Sequence, residues 1–197
     1  LLTSISMDHM QFLGDTLAKI AAQKAGILKP GCRVVSIRQP EEAQRVIEAA
    51  AVRQGCGLTM VEPEKITAVK YGLERQKFSY GGYTGLEIRL AGKYQIENAA
   101  LAVEALRLLS ECGYRRNERQ LRKGLAETVW DGRFTVVGRK PYFIVDGAHN
   151  EDAAKRLAES IQFYFTNKRI IYIMGVLKDK EHEKIIALTH EYADQII

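Results

Sequence analysis

The sequence lacks several features that would assign a protein to a particular class. No apolar run approaches the ~20 residues that a membrane-spanning helix needs, and no basic stretch leads into an apolar one as in an export leader. The three cysteines, Cys32, Cys56 and Cys112, are far apart and form no C-x-x-C pair. We therefore expect a cytoplasmic protein with reduced thiols, and this spacing excludes a zinc knuckle.

A strong charge of one sign and a phosphate-binding loop are also missing. The formal net charge is only +5, and no segment matches G-x-x-x-x-G-K-[ST]. Arg119, Arg122 and Lys123 share one helical face, but no aromatic platform accompanies them. We expect a solvated helix face and no nucleic acid there. A mild positive excess also suits small polyanions such as nucleotides.

The apolar pattern predicts an α/β protein. A Gly81-Gly82 pair between two alternating segments predicts a hairpin, and a long helix is expected over residues 95–112. Residues 130–133 are expected to form a linker between residues 1–129 and residues 134–197. Beyond the linker, the order β-β-α-β-α predicts a largely parallel, Rossmann-like sheet. Both ends of the chain resemble the inside of a strand, so we expect a fragment of a longer protein.

One strand–turn–helix unit presents polar side chains where ligands bind in α/β sheets. Residues 142–145 are expected to form a buried strand, followed by the turn pair Asp146-Gly147 and by Asn150 as the N-cap of the next helix. Asp146 and His149 would then lie at the carboxyl end of a strand, the usual place for a ligand. A purely structural role for Asp146, as a cap of the turn, explains the pattern equally well.

A lysine in line with an apolar helical stripe is the second unusual feature. Lys24 lies four residues after Ile20, near the end of a helix predicted over residues 16–25. Burying its ammonium would cost several kcal/mol unless the charge were paired or neutralised. His9 follows a predicted strand and could meet Lys24 at one site. The alternatives are a core or turn histidine and a lysine that stabilises the helix C-terminus.

Five motifs in this order resemble the folylpolyglutamate synthase/dihydrofolate synthase family of Mur-type amide ligases. They are Asp8-His9-x-x-x-Leu13-Gly14-x-Thr16, Lys24-Ala-Gly-Ile-x-Lys29-x-Gly31, Gln95-x-Glu97-Asn98-Ala99, Gly132-Arg133-Phe134 and Asp146-Gly-Ala-His-Asn150. The resemblance implies the C-terminal part of a P-loop ATPase central domain, followed by the first half of a Rossmann-like C-terminal domain. Because the phosphate loop is absent, we expect the fragment itself to be inactive.

The resemblance also implies roles for individual residues. The matching His9 would be a Mg²⁺ ligand, and Lys24, carbamylated by CO₂, would be an anionic oxygen ligand of a metal. Asn98, Arg133 and Asp146 would contact ATP, with His149 close to the phosphates. The structural alternatives are a first-turn polar residue for Asn98 and an exposed charge for Arg133. Residues 178–180 follow a predicted strand nearby and receive no role.

The activity implied by the resemblance is ATP-dependent addition of glutamate to folates through an acyl phosphate, by a monomer. Dihydrofolate synthesis would be a possible second activity. One alternative with the same chemistry is a cell-wall Mur ligase acting on a UDP-sugar peptide. An alternative of another class is a catalytically silent, Mur-like nucleotide-binding protein, which the missing phosphate loop would permit.

Overall fold

The computed structural model describes residues 1–7, 13–175 and 182–197. The helices in these ranges are α1 (Leu17–Ala25), α2 (Glu41–Arg53), α3 (Gln95–Glu111), α4 (Glu118–Glu127), α5 (Glu151–Tyr164) and α6 (His182–His190). The strands are β1 (Arg33–Ile37), β2 (Gly57–Val61), β3 (Thr67–Lys70), β4 (Gln76–Tyr80), β5 (Tyr83–Ile88), β6 (Thr135–Arg139), β7 (Tyr142–Val145), β8 (Ile171–Tyr172) and β9 (Gln195–Ile196). None of the helices described is both long and apolar enough to cross a membrane.

Strands β1 and β2 form a parallel pair between two layers of helices. Because successive side chains of a strand point to opposite faces, Val34 and Val35 enter different cores. Val34 packs in the cluster that contains Ile20 of α1 and Ile47 of α2, whereas Val35 packs with Ile96 of α3. The pair is therefore covered on both faces, as parallel strands usually are.

Strands β3, β4 and β5 form an antiparallel sheet beside helix α3. Gly81 and Gly82 have φ values of +59° and +85° and make the turn between β4 and β5, which confirms the predicted hairpin. Phe78 and Leu86 are fully buried in the same cluster as α3 residues. Helix α4 begins at a capping box in which Asn117 and Gln120 exchange hydrogen bonds.

The described part of residues 134–197 shows the predicted β-β-α-β-α order, but its strands do not form one continuous parallel sheet. Strands β6 and β7 pair antiparallel, β8 and β9 pair parallel, and an apolar slit of about 500 Å³ separates β7 from β8. The prediction that residues 142–145 are buried is wrong, since Tyr142 and Phe143 are 52% and 53% exposed. The reason is that, among the described strands, β7 pairs with β6 along one edge only, and its other edge borders this slit.

A buried glutamine joins the two parts of the chain. Gln76 is fully buried, and its amide nitrogen donates to the carbonyl oxygens of Leu90 (2.6 Å) and Gly92 (2.9 Å). Its amide oxygen accepts a 3.1 Å hydrogen bond from the hydroxyl of Tyr164 at the end of α5. Phe134 is also buried here, in a cluster that includes Ala91 from the loop before α3. These contacts hold α5 against the loop that leads into α3.

Candidate functional site

A cleft of about 630 Å³ gathers most of the polar residues that the sequence singled out. Its walls come from the segment before α1, the end of α1, the first turn of α3, the residues near 130–133 and the loop that enters α5. Five predicted site residues line it, namely Lys24, Asn98, Arg133, Asp146 and His149. His9 and residues 178–180 lie outside the residues that the structure describes.

Asp146 holds the linker and the following loop together. One carboxylate oxygen accepts a hydrogen bond from the backbone N–H of Phe134 (2.7 Å), and the other accepts from the N–H of Ala148 (2.8 Å). Burial raises the pKa of this carboxyl, while the two N–H groups and the charge of Arg133 oppose the rise. A carboxylate offers about four acceptor positions, so two bonds leave capacity for a ligand.

Arg133 lies close to a glycine of the same loop. The N–H of Gly147 donates to the carbonyl oxygen of Gly132 (2.8 Å), which brings the two segments together. A Cβ at position 147 would lie 2.9 Å from Nη1 of Arg133, closer than side-chain carbons normally approach. Glycine at this position therefore allows the guanidinium to lie against the backbone of the loop, with its charge on the exposed side of the cleft.

His149 and Asn150 complete the entry into α5. Nδ1 of His149 lies 2.8 Å from the carbonyl oxygen of Gly147. Because a carbonyl oxygen only accepts, a hydrogen bond here requires a proton on Nδ1. The side-chain oxygen of Asn150 accepts from the N–H of Ala153 (2.8 Å), which confirms the predicted N-cap.

The expectation that Lys24 is buried is wrong. Ile20, Ala21 and Ala25 form the buried stripe of α1, whereas Lys24 is exposed and lines the cleft. Lys24 lies in the last turn of the helix, and its long, flexible side chain can reach solvent although the neighbouring Ala25 is buried. The cost of burying an ammonium therefore gives no argument for modification of Lys24.

Asn98 makes the local contact expected of a first-turn residue. Its amide nitrogen donates to the side-chain oxygen of Gln95 over 3.1 Å. Nearby, burial raises the pKa of Tyr94 to about 12, and the negative charge of Asp146 adds to the rise. Tyr94 and Asp146 therefore share a poorly solvated corner of the cleft.

Sequence reasoning missed several cleft residues. Trp130, Glu97 and Arg156 line it together with the hydroxyl-bearing Ser4 and Ser6. Trp130 is the chain's single tryptophan and the first residue of the linker, and Glu97 belongs to one of the five motifs, so the sequence pointed to both. The sequence gives no comparable signal for Ser4 and Ser6, because serine is common in extended segments.

The described residues hold no group of three or more His, Cys, Asp and Glu side chains placed to bind a metal ion. The cleft wall does present oxygen donors, including the hydroxyls of Ser4 and Ser6, the carboxylate of Glu97 and the amide of Asn98. Hydroxyl, amide and carboxylate oxygens are the type of ligand that Mg²⁺ prefers.

Comparison with known proteins relates the chain to one group of ligases. Residues 132–197 match the family model of the Mur ligase, glutamate ligase domain. The chain is 34% identical over 191 residues to the dihydrofolate synthase/folylpolyglutamate synthase of Bacillus subtilis, covering 94% of this chain and 44% of that protein. It is 30% identical to the folylpolyglutamate synthase of Lacticaseibacillus casei, with 92% and 44% covered.

Solved structures show the same relationship in three dimensions. An FPGS–AMPPCP–folate complex superposes with a TM-score of 0.91 at 27% identity, covering 98% of this chain and 48% of that chain. Mycobacterium tuberculosis folylpolyglutamate synthase complexed with ADP and AMPPCP gives a TM-score of 0.85 at 27% identity, covering 98% and 46%. The likeness confirms the predicted α/β fold class. The chain spans slightly less than half the length of these relatives.

Proposed function

Because the chain belongs to the folylpolyglutamate synthase/dihydrofolate synthase family of Mur-type ligases, we propose that the whole protein joins glutamate to folates in an ATP-dependent reaction. The observation that carries the proposal is the cleft, which collects Lys24, Asn98, Arg133, Asp146 and His149 from separate elements. Folate or folylpolyglutamate, glutamate and ATP are the proposed small-molecule substrates. Related structures that contain AMPPCP, one of them with folate, support this choice.

The groups that line the cleft fit a nucleotide. Arg133 offers a guanidinium group and Lys24 an ammonium, both suited to phosphate oxygens. The N-terminus of α5, with its backbone N–H groups, is a further favourable place for an anion. Asp146 has acceptor capacity left for a hydroxyl or amino donor. We propose that Asn98, Arg133, Asp146 and His149 bind ATP on this wall.

ATP supplies the phosphoryl group that activates the folate carboxyl as an acyl phosphate, which the amine of glutamate then attacks with loss of phosphate. The cationic side chains of the cleft stabilise the negative charge that develops during both steps. Arg133 belongs to the linker, so its approach to a phosphate would couple closure of the two parts of the chain to the reaction.

Mg²⁺ fits the oxygen donors of the same wall. We propose that Lys24 and His9 help to hold it and that Lys24 does so as a carbamate, whose oxygens replace the cation by an anionic ligand. The position of Lys24 on the cleft wall supports this role, together with the matching motif. When bound, the metal would position phosphate groups and offset their charge.

The remaining proposals concern organisation and partners. We propose that residues 1–129 and 134–197 belong to two domains joined by residues 130–133, in a cytoplasmic monomer that binds no nucleic acid. The basic helical face supports the last point, because Arg122 pairs with Glu118 (2.6 Å) and also donates to the carbonyl oxygen of Thr84 (2.9 Å). These contacts engage the guanidinium group of Arg122, which would otherwise be able to bind a phosphate of a nucleic acid.

Product analysis of the whole protein tests the proposal. ATP and glutamate are supplied with tetrahydrofolates, dihydropteroate and UDP-muropeptides in parallel, and products are identified by mass. Folates lengthened by one glutamate support the proposal. The name of the Bacillus subtilis relative makes dihydrofolate from dihydropteroate a second expected product. Products from muropeptides alone would assign the protein to the cell-wall branch, and ATP binding without any product would make it a silent binder.

A further inference from the structure

Two cysteines that are distant in sequence meet at the start of the parallel strand pair. The sulfur atoms of Cys32 and Cys56 lie 3.2 Å apart, and both residues are half-buried free thiols. They directly precede β1 and β2, in which Arg33 is the register partner of Gly57. The N–H of Gly57 also donates to the carbonyl oxygen of Cys32 (3.2 Å), so the strand pairing extends to this point.

The backbone at this point suits a covalent cross-link. Paired strands lie about 4.8 Å apart, inside the range of roughly 4.4–6.8 Å that separates the Cα atoms of bonded cysteines. The thiol of Cys56 also donates to the carbonyl oxygen of Lys29 (3.2 Å). The backbone N–H of Gly31 donates to the carbonyl oxygen of Gln54 (2.8 Å). The loop before β1 and the loop before β2 are thus already held together on both sides of the thiol pair.

We propose that Cys32 and Cys56 form a reversible disulfide that staples β1 to β2 when the protein meets a low-molecular-mass disulfide such as oxidised glutathione. One cysteine thiolate attacks the small disulfide, giving a mixed disulfide and releasing one small thiol. The second cysteine thiolate then attacks the protein sulfur of that bond and releases the other small thiol. Two protein thiols are oxidised, one small disulfide is reduced, and excess small thiol reverses the exchange.

The Cys32–Cys56 disulfide would raise the stability of the protein and leave the cleft unchanged. It lies at the amino ends of β1 and β2, whereas the cleft is reached by Ile37 at the carboxyl end of β1. Closing the loop between residues 32 and 56 restricts the unfolded chain, which raises the melting temperature by roughly 5–10 °C. The inference is independent of the proposed ligase function.

Incubation with oxidised glutathione, followed by non-reducing tryptic mapping, tests the proposal. We expect a linked pair of peptides spanning residues 25–33 and 54–65 to appear, with no glutathione left on Cys32 or Cys56. Cys32→Ser and Cys56→Ser should each abolish the linked pair and the rise in melting temperature. Cys112→Ser, at an exposed cysteine, should change neither.

Two results would overturn the inference. One is glutathione attached separately to the cysteines, without the linked peptides, in the wild-type protein. The other is an oxidised protein that carries the linked peptides but melts no higher than the reduced protein. Because the peptide map is made on the wild-type protein, it distinguishes these outcomes even if a serine variant folds poorly.

Discussion

Replacing Asp146 by asparagine tests the structural role of this residue through its effect on stability. In the wild type, each carboxylate oxygen accepts one backbone hydrogen bond, from Phe134 and from Ala148. An asparagine keeps a single acceptor oxygen and puts an NH₂ donor against the other backbone donor. From sequence alone, asparagine is a near-neutral replacement that keeps the turn cap. Because both side-chain oxygens of Asp146 accept backbone hydrogen bonds, asparagine can keep only one of the two.

The expected cost follows from the bond that is lost. A buried donor left without an acceptor costs about 1–3 kcal/mol, and loss of the attraction to Arg133 adds to it. We therefore expect Asp146→Asn to lower the free energy of unfolding by about 1–3 kcal/mol. Asp131→Asn removes an exposed carboxylate from the same linker and should stay within about 0.5 kcal/mol of wild type.

Urea denaturation followed by circular dichroism measures both variants. An Asp146→Asn protein as stable as the Asp131→Asn control would refute the hydrogen-bonding argument. Catalysis by the whole protein then tests the proposed nucleotide contact separately. If Asp146 also touches ATP, the variant shows a raised KM for ATP or a lowered kcat per folded molecule, in addition to its lower stability.

The remaining predictions use the same comparison of paired variants. Lys24→Ala should leave stability unchanged and lower ligase activity of the whole protein at least tenfold, whereas Lys19→Ala, whose side chain pairs with a neighbouring aspartate, should retain activity in the same assay. Tyr164→Phe removes a hydrogen bond to a fully buried amide and should cost about 1–2 kcal/mol in urea denaturation, against no change for the exposed Tyr114→Phe. Two cationic neighbours lower the pKa of Glu87 in the folded state. Glu87 should therefore stabilise the folded protein by roughly 0.5 kcal/mol at pH values above the ordinary glutamate pKa, and this stabilisation should vanish as the pH falls through the lowered pKa of Glu87. Denaturation at a series of pH values measures this dependence, and Glu87→Gln should abolish it.

Local features of the fold could be predicted because the residues that cause them are neighbours in sequence. The cap at Asn150 bonds three residues ahead, and the Gly81-Gly82 turn needs positive φ values that glycine adopts easily. Contacts across the chain could not be predicted in this way. Cys32 meets Cys56, and Gln76 meets Tyr164, only because separate elements pack together.

The error at Lys24 has the same physical origin. A helical stripe predicts which side of α1 faces the core, but not whether a long side chain bends away from that core. Ala25 follows Lys24 and is buried, so the packed surface continues past Lys24, whose own side chain is exposed and lines the cleft. The position of Lys24 on the cleft wall therefore does not depend on burial of its side chain.

Asp146 shows why the two interpretations of a strand-end carboxylate are compatible. The bonds to Phe134 and Ala148 fix the carboxylate between the end of the linker and the loop before α5, and Arg133 is the linker residue directly before Phe134. A carboxylate held by two backbone donors cannot rotate freely, so its remaining acceptor positions point in fixed directions. Such an orientation lowers the entropic cost of binding a donor on the ligand. The hydrogen bonds that cap the turn would thus also orient Asp146 for a nucleotide contact. Removing these bonds should therefore lower both the stability of the protein and its affinity for the nucleotide.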